Sequence, residues 1–204
     1  METKTVIFAA GCKRKTLGIK GEKEFSARGV SFCAVCDGAF YKNKTAAVIG
    51  AGDTAFSDAL YLANIASKVY IIARRDKFRA GNSLVDAAKK CENIEILTNT
   101  VPIEFTGEKS VDGIILNENG NEKRLAVNGI FIAVGSVPNT TLLSEIAKLD
   151  ESGYVVAGED GVTSAAGIFA AGDIRTKRLR QVITAAADGA NCAVSAEKYI
   201  RENF

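Results

Sequence analysis

The chain has 204 residues, a net charge of +2, 47% apolar residues and 25% charged ones, enough for one domain or one and a half of ordinary globular composition. So small a charge gives no argument for a nucleic-acid or membrane-surface partner. No apolar run approaches the roughly 20 residues of a membrane span, and residues 1–10 lack the long apolar core of a signal peptide, so neither a membrane nor a nucleic acid is expected as partner and the expected location is cytoplasmic.

Thr3 to Ala9 predicts a short strand ending at Gly11, and Lys13 to Arg28 reads as a charged, glycine-punctuated linker with a loop or short helix. Val30 to Phe32 leads into Cys33-Ala34-Val35-Cys36-Asp37-Gly38. Two cysteines separated by two residues can close a small disulfide and reopen it by thiolate attack. Half of a four-cysteine zinc site is the other reading. The remaining cysteines, Cys12, Cys91 and Cys192, are isolated, and histidine is absent. No metal is therefore expected, and each isolated cysteine is expected to be a small buried hydrophobe. The missing histidine also removes Ser-His-Asp and Cys-His catalysis. Asp37 is either the start of an Asp-Gly turn or a carboxyl placed to deliver a proton to a leaving thiolate.

Thr45 to Ile49 predicts a buried strand, and Ala55, Phe56, Ala59, Leu60, Leu62, Ala63 and Ala66 have the spacing of a helix packed on a sheet. A strand at Lys68 to Ala73, a helix at Asn82 to Cys91 and a strand at Ile94 to Leu97 follow. Gly50 and Gly52, at the end of the first of these strands, can let the backbone approach a pyrophosphate, with Asp53 and Thr54 opening the helix and Ala55 small enough for close helix–strand packing. About twenty positions past Gly52, where an acid would hold the ribose hydroxyls of NAD, stand Arg74 and Arg75, with Arg79 beyond them. Arginine there suits the 2′-phosphate of NADP.

Val101 to Phe105, Val111 to Leu116 and Lys123 to Ala126 read as antiparallel strands, with Asn119-Gly120 as the turn of a hairpin. Gly129 to Val134 returns as a strand, and Pro138 breaks any helix there. A short helix to about Leu149 and a strand near Tyr154 to Val156 are expected next. A strand ending in Gly172-Asp173 is followed by a small-residue helix from about Arg180, whose Arg180, Gln181, Thr184, Ala185, Ala186, Ala187 and Gly189 suit either a cofactor contact or simple tight packing. Arg175, Lys177, Arg178 and Arg180 read as solvated surface.

Taken together, C-A-V-C-D-G, G-A-G-D-T-A, A-R-R-D-K-F-R-A, and G-I-F-A-A-G-D followed by R-Q-V-I-T-A-A-A-D-G resemble low-molecular-weight thioredoxin reductase, a flavoprotein family of the pyridine nucleotide-disulfide oxidoreductase class. The resemblance implies an α/β fold: a Rossmann-like NAD(P)-binding domain with an antiparallel β insertion, plus the partial remainder of a second, FAD-binding Rossmann-like domain. By this likeness residues 1–11 are a remnant of the FAD domain, 12–141 the NADPH domain with the redox dithiol, and 142–204 the returning part of the FAD domain. Cys33 and Cys36 become the redox-active disulfide and Asp37 its proton donor. Gly50, Gly52 and Ala55 hold the NADPH pyrophosphate, Arg74, Arg75 and Arg79 its 2′-phosphate, while Gly172, Asp173, Arg180, Gln181 and Val182 lie on the flavin side. The implied path runs from NADPH to FAD, to the Cys33–Cys36 disulfide, to thioredoxin or a thioredoxin-like protein, with two alternating domain orientations and a homodimeric parent. Ala51 stands where the family has a middle glycine, and Ala73 where it has a histidine. A first FAD-binding half of roughly 100 residues, a small domain's length, has no counterpart here, so these residues are expected to bind NADPH but to hold FAD poorly. Two other functions fit the same residues: a non-catalytic NADPH-binding module, and the flavoprotein component of an alkyl hydroperoxide reductase system.

Overall fold

The computed structural model describes residues 2–204 and divides them into two compact units. One is Lys15–Gly135; the other joins the residues up to Arg14 to Ser136–Phe204. Strands β1 (Val6–Phe8) and β2 (Cys12–Arg14) open the chain and belong to the second of these.

In the unit 15–135, a short strand β3 (Val30–Ser31) precedes a single helical turn α1 (Ala34–Asp37). Then come β4 (Thr45–Ile49), α2 (Asp53–Ala63), β5 (Lys68–Ile72), α3 (Asn82–Lys90) and β6 (Ile94–Leu97). Three longer strands, β7 (Thr100–Gly107), β8 (Val111–Glu118) and β9 (Asn121–Ala126), form an antiparallel sheet before β10 (Gly129–Ile132) returns. The five parallel strands lie in the order β3-β10-β4-β5-β6.

Side-chain alternation along β4 explains the layering. Ala46 and Val48 face α2 and α3, packing with Ala55, Phe56, Ala59, Leu62 and Val85. Ala47 and Ile49 face the opposite way, against Phe105, Val111, Ile114 and Leu116 of the antiparallel sheet. A strand covered on both faces must be apolar at every position, which is why this stretch reads as a continuous run and not as an alternating one. Asn119 and Gly120 both take positive φ (+52° and +91°) between β8 and β9, the conformation a two-residue hairpin turn requires.

From β4 the chain steps outward to β5 and β6, then crosses back to insert β10 on the other side of β4. Ligands in open α/β sheets sit at such a reversal, beyond the carboxyl ends of the strands. Gly50, the residue after β4, has φ +151°, and a Cβ there would overlap the Ala133 carbonyl and lie 3.0 Å from the Ala55 Cβ. Both the glycine and the small Ala55 are therefore required by the close passage of β4, α2 and the end of β10.

In the other unit, β1 pairs in parallel with β12 (Ile168–Ala170), and β2 pairs antiparallel with β11 (Ser136–Pro138). Helix α4 (Val182–Asn203) closes the chain, with Asp188, Cys192 and Ala196 as its buried stripe at four-residue spacing. Its first turn carries a reciprocal cap: the Gln181 side chain accepts from the Thr184 backbone, and Thr184 Oγ1 accepts from Gln181 N–H.

Several expectations are corrected. The helix predicted after Thr141 shrinks to a 3-10 turn, Thr141–Leu143, because only Leu143 and Ala147 find a core to enter. Tyr154 to Val156 forms no strand; Val155 makes isolated bridges to Leu149 and Arg175, its backbone being shared between two short segments. Of the two readings for Lys13 to Arg28 the loop holds and the helix does not: its start belongs to β2, and the rest is loop and turns with isolated bridges at Lys20 and Ser26. The bend is closed by buried Glu22, which accepts from Leu17 N–H and Gly18 N–H.

In the basic run beyond β12, Arg178 is exposed as expected, but Arg175 and Lys177 are not solvated surface. Arg175 is 5% exposed and Asp188 4%. Arg175 donates to both carboxylate oxygens (2.9 and 2.6 Å), and Lys177 Nζ to one of them at 2.8 Å. Gly172 N–H adds a fourth bond at 2.8 Å. Burial alone would push the Asp188 carboxyl up; the hydrogen bonds from Arg175, Lys177 and Gly172, with the Arg175 charge, outweigh it and bring it down to about 2. Cys192 is buried as expected, and burial pushes its thiol up. Cys12 and Cys91 are only partly buried. No helix among the described residues is long and apolar enough to cross a membrane.

Candidate functional site

The dithiol lies where β3 runs out into α1. Cys33 and Cys36 form a disulfide, S–S 2.04 Å and Cα–Cα 5.3 Å. Cys33 is the N-cap of α1, its sulfur accepting from Cys36 N–H at 3.2 Å. Ala34 is buried as the anchor of this turn, whereas Val35 and Cys36 are exposed. Asp37 follows immediately, and its Oδ2 accepts from Ser31 Oγ at 2.6 Å. Tyr41 packs edge-on to Phe131 and leans on Gly129. Burial, with the nearby Asp37 charge adding to it, pushes the Tyr41 phenol up, so it stays a neutral hydroxyl at working pH.

In the same unit a cavity of about 610 Å³ opens at the reversal of the parallel sheet. Gly50 and Ala51 line one side, Arg74, Arg75 and Arg79 another. The chain after β5 is tied back to the glycine turn by backbone bonds: Ala51 O accepts from Arg79 N–H (2.8 Å) and Ala80 N–H (3.2 Å). Asp53 Oδ1 accepts from Gly81 N–H at 2.8 Å. Asp53 thus holds the arginine segment in place. Gly52 caps α2 and Thr54 stands exposed in its first turn, while Ala55 is buried beneath Gly50. Lys15, Lys77 and Thr100 also line the cavity and were not singled out in the sequence. Lys77 was legible only as one more charge in the Arg74-Arg75-Asp76-Lys77 run. A glycine cradle that a Cβ would fill, faced by several cations, fits a phosphate-rich dinucleotide.

The remaining predicted residues lie in the other unit. Gly172 turns the chain with φ +76°, and a Cβ there would come within 3.3 Å of the Ala185 Cβ. Asp173 Oδ1 and Arg180 Nε are buried polar atoms with no hydrogen-bond partner among the described residues, and buried polar atoms are ordinarily paired. The Arg180 guanidinium lies 4.0 Å over the Tyr154 ring, and the Cys12 thiol lies 4.0 Å from Asp173 Oδ2. Val182 is 88% exposed. Two orphaned polar atoms beside a tight glycine turn fit a ligand with hydroxyl and imide groups, such as a flavin.

A glycine turn edged with arginine thus lies in one unit with a closed dithiol. A family model for pyridine nucleotide-disulphide oxidoreductases matches residues 1–189, and the chain belongs to that family. Within it, the chain is similar to thioredoxin reductases. It is 43% identical over 204 residues to thioredoxin reductase of Listeria monocytogenes, covering 98% of this chain and 64% of that protein. It is 46% identical over 210 residues to thioredoxin reductase of Helicobacter pylori, covering 99% and 68%. The crystal structure of thioredoxin reductase from Streptococcus pyogenes superposes with a TM-score of 0.90 at 37% identity, over 97% of this chain and 66% of that one. The chain thus spans about two thirds of the length of the relatives it matches.

Proposed function

We propose that this chain is the NADPH-binding and dithiol-bearing portion of a thioredoxin-disulfide reductase. The observation that carries this is the closed Cys33–Cys36 pair within one helical turn, followed directly by a carboxyl. The Listeria monocytogenes and Helicobacter pylori relatives, both named thioredoxin reductase, support thioredoxin or a thioredoxin-like protein as the electron acceptor. Cytoplasmic location and a homodimeric parent belong to the same reading; partly exposed unpaired thiols at Cys12 and Cys91 suit a reducing compartment. The exposed Ile183 and Val194 of α4 suit a face covered by a second subunit.

Arg74, Arg75 and Arg79 hold the 2′-phosphate of NADPH, and the Gly50–Gly52 turn with the α2 N-terminus holds its pyrophosphate. Gly172, Asp173, Arg180, Gln181 and Val182 would line the flavin side of the site, these residues alone holding FAD poorly. When bound, NADPH would supply the two electrons that open the disulfide and FAD would relay them. The chain's own chemistry is then thiol–disulfide exchange. One of the two sulfurs, as thiolate, attacks a sulfur of the partner's disulfide, and the partner's other sulfur leaves as thiolate. The second sulfur of the pair resolves the mixed disulfide, re-forming the Cys33–Cys36 bond and releasing a partner dithiol. Asp37 supplies the proton that a leaving sulfur takes up and recovers one from the resolving thiol.

The test needs no flavin. Cys33→Ser and Cys36→Ser variants are each reduced and mixed with oxidised thioredoxin. One of the two is expected to accumulate a mixed disulfide, visible by non-reducing electrophoresis and mass spectrometry. Accumulation with neither variant overturns the proposal.

A further inference from the structure

We infer that Ser31 is a positioning residue for the proton step at the dithiol, a role that rests on the proposed reading of Asp37. Ser31 ends β3, two residues before Cys33, and is 7% exposed. Its hydroxyl is engaged twice. It donates to Asp37 Oδ2 at 2.6 Å, and it accepts from Cys33 N–H at 3.1 Å. An O–H···O⁻ bond of about 2.5–2.7 Å is the charge-assisted kind, roughly twice as strong as a neutral one.

One oxygen atom therefore joins the backbone of the first cysteine to the carboxyl that follows the second. A local serine turn accounts for the bond from Cys33 N–H, since such turns are common. It does not account for the contact with Asp37, which spans the helical turn that carries both cysteines. Without the tether, Asp37 at the end of a four-residue helix is free to take another rotamer.

The hydroxyl has a second acceptor within reach. Cys33 O lies 3.5 Å from Ser31 Oγ. When Asp37 carries its proton, the Ser31 hydrogen can turn to Cys33 O and leave its oxygen to accept from the acid. When Asp37 has given the proton up, the hydrogen turns back to the carboxylate. The heavy atoms need not move between the two states, so the carboxyl keeps its place through both halves of the exchange: chain dithiol plus partner disulfide in, chain disulfide plus two partner thiols out.

The test uses the chain reduced with dithiothreitol, desalted and mixed with 2-hydroxyethyl disulfide. Re-formation of the Cys33–Cys36 bond is followed by acid quench, alkylation and mass spectrometry. Four variants are compared with the parent: Asp37→Asn, Ser31→Ala, Ser31→Thr and the double variant of Ser31→Ala with Asp37→Asn. General acid–base groups contribute about 10²- to 10⁴-fold, so Asp37→Asn is expected to slow the reaction by about 100-fold. Ser31→Ala is expected to slow it about tenfold, the size of one hydrogen bond to a charged group. Threonine, which keeps the hydroxyl and suits a strand end, is expected to restore the rate. The double variant is expected to be no slower than Asp37→Asn alone. A merely structural serine gives a different pattern, in which Ser31→Ala slows both backgrounds by the same factor, and that result overturns the inference. So does an unchanged rate in Ser31→Ala while Asp37→Asn is slow. An unchanged rate in Asp37→Asn removes the proton donor itself, a failure of the proposed reading separable from a failure at Ser31.

Discussion

Replacing Arg74 and Arg75 together by glutamine is expected to weaken NADPH binding by on the order of 100-fold while changing NADH binding by less than about threefold. Both guanidinium groups stand exposed at the cavity edge, just past β5. Neither they nor Arg79 is held in an ion pair among the described residues. Their charge is therefore directed at whatever enters. A hydrogen bond to a charged group contributes about 1.5–3 kcal/mol, and 1.4 kcal/mol is a factor of ten. Two such bonds at the lower bound give the quoted factor. Arg79 and Lys77 remain, so some preference survives the double change. Because the site is open to solvent, the preference should shrink with added salt. Calorimetric titration of both nucleotides into parent and variant decides the point; an equal loss for NADPH and NADH would show that the arginines hold something other than the 2′-phosphate.

The second large effect concerns stability. Asp188→Ala strips the one carboxylate from two buried cations, Arg175 and Lys177, whose side chains are 6% and 7% exposed. Removing one partner of a buried ion pair costs about 3–5 kcal/mol, because the other charge is left without compensation. For a chain of this size that is roughly a 10 °C fall in melting temperature. The same carboxyl gives the parent a pH signature. Its value in the folded state is about 2, below the ordinary 3.8. A depressed carboxyl contributes stability that is complete above its unfolded value and is lost as pH falls through the folded one. The loss, about 2 kcal/mol, lies between about pH 4 and pH 2. Melting curves of parent and variant should therefore converge over that interval. Curves that stay parallel to pH 2 would mean that Asp188 is not held by its cations.

Local order made the unit 15–135 readable. Thr45 to Ile49 was expected as a buried strand and is one, because no polar residue interrupts a run that must be covered on both faces. Asn119-Gly120 marked its hairpin by backbone chemistry alone. The helix at Asn82 ends one residue earlier than expected, at Lys90. What escaped was set by partners distant in sequence. Arg175 and Lys177 look like a solvated run because the carboxylate that buries them comes a helix later. Tyr154 to Val156 has strand composition but no full-length neighbour to pair with. Ser31 gave no signal apart from its place two residues before a cysteine; its bond to Asp37 exists only because α1 turns the chain back on itself.

The central claim, that Cys33 and Cys36 form a working redox couple and not a structural cross-link, is tested most directly by equilibrium titration. The chain is equilibrated in dithiothreitol buffers of graded potential, alkylated and read by mass spectrometry. Both cysteines should convert together as one two-electron couple, with a midpoint near thioredoxin's value of about −270 mV, while Cys12, Cys91 and Cys192 stay reduced throughout, read by alkylation after denaturation. Independent oxidation of the two sulfurs, or a midpoint well below about −300 mV as in structural disulfides, would contradict it.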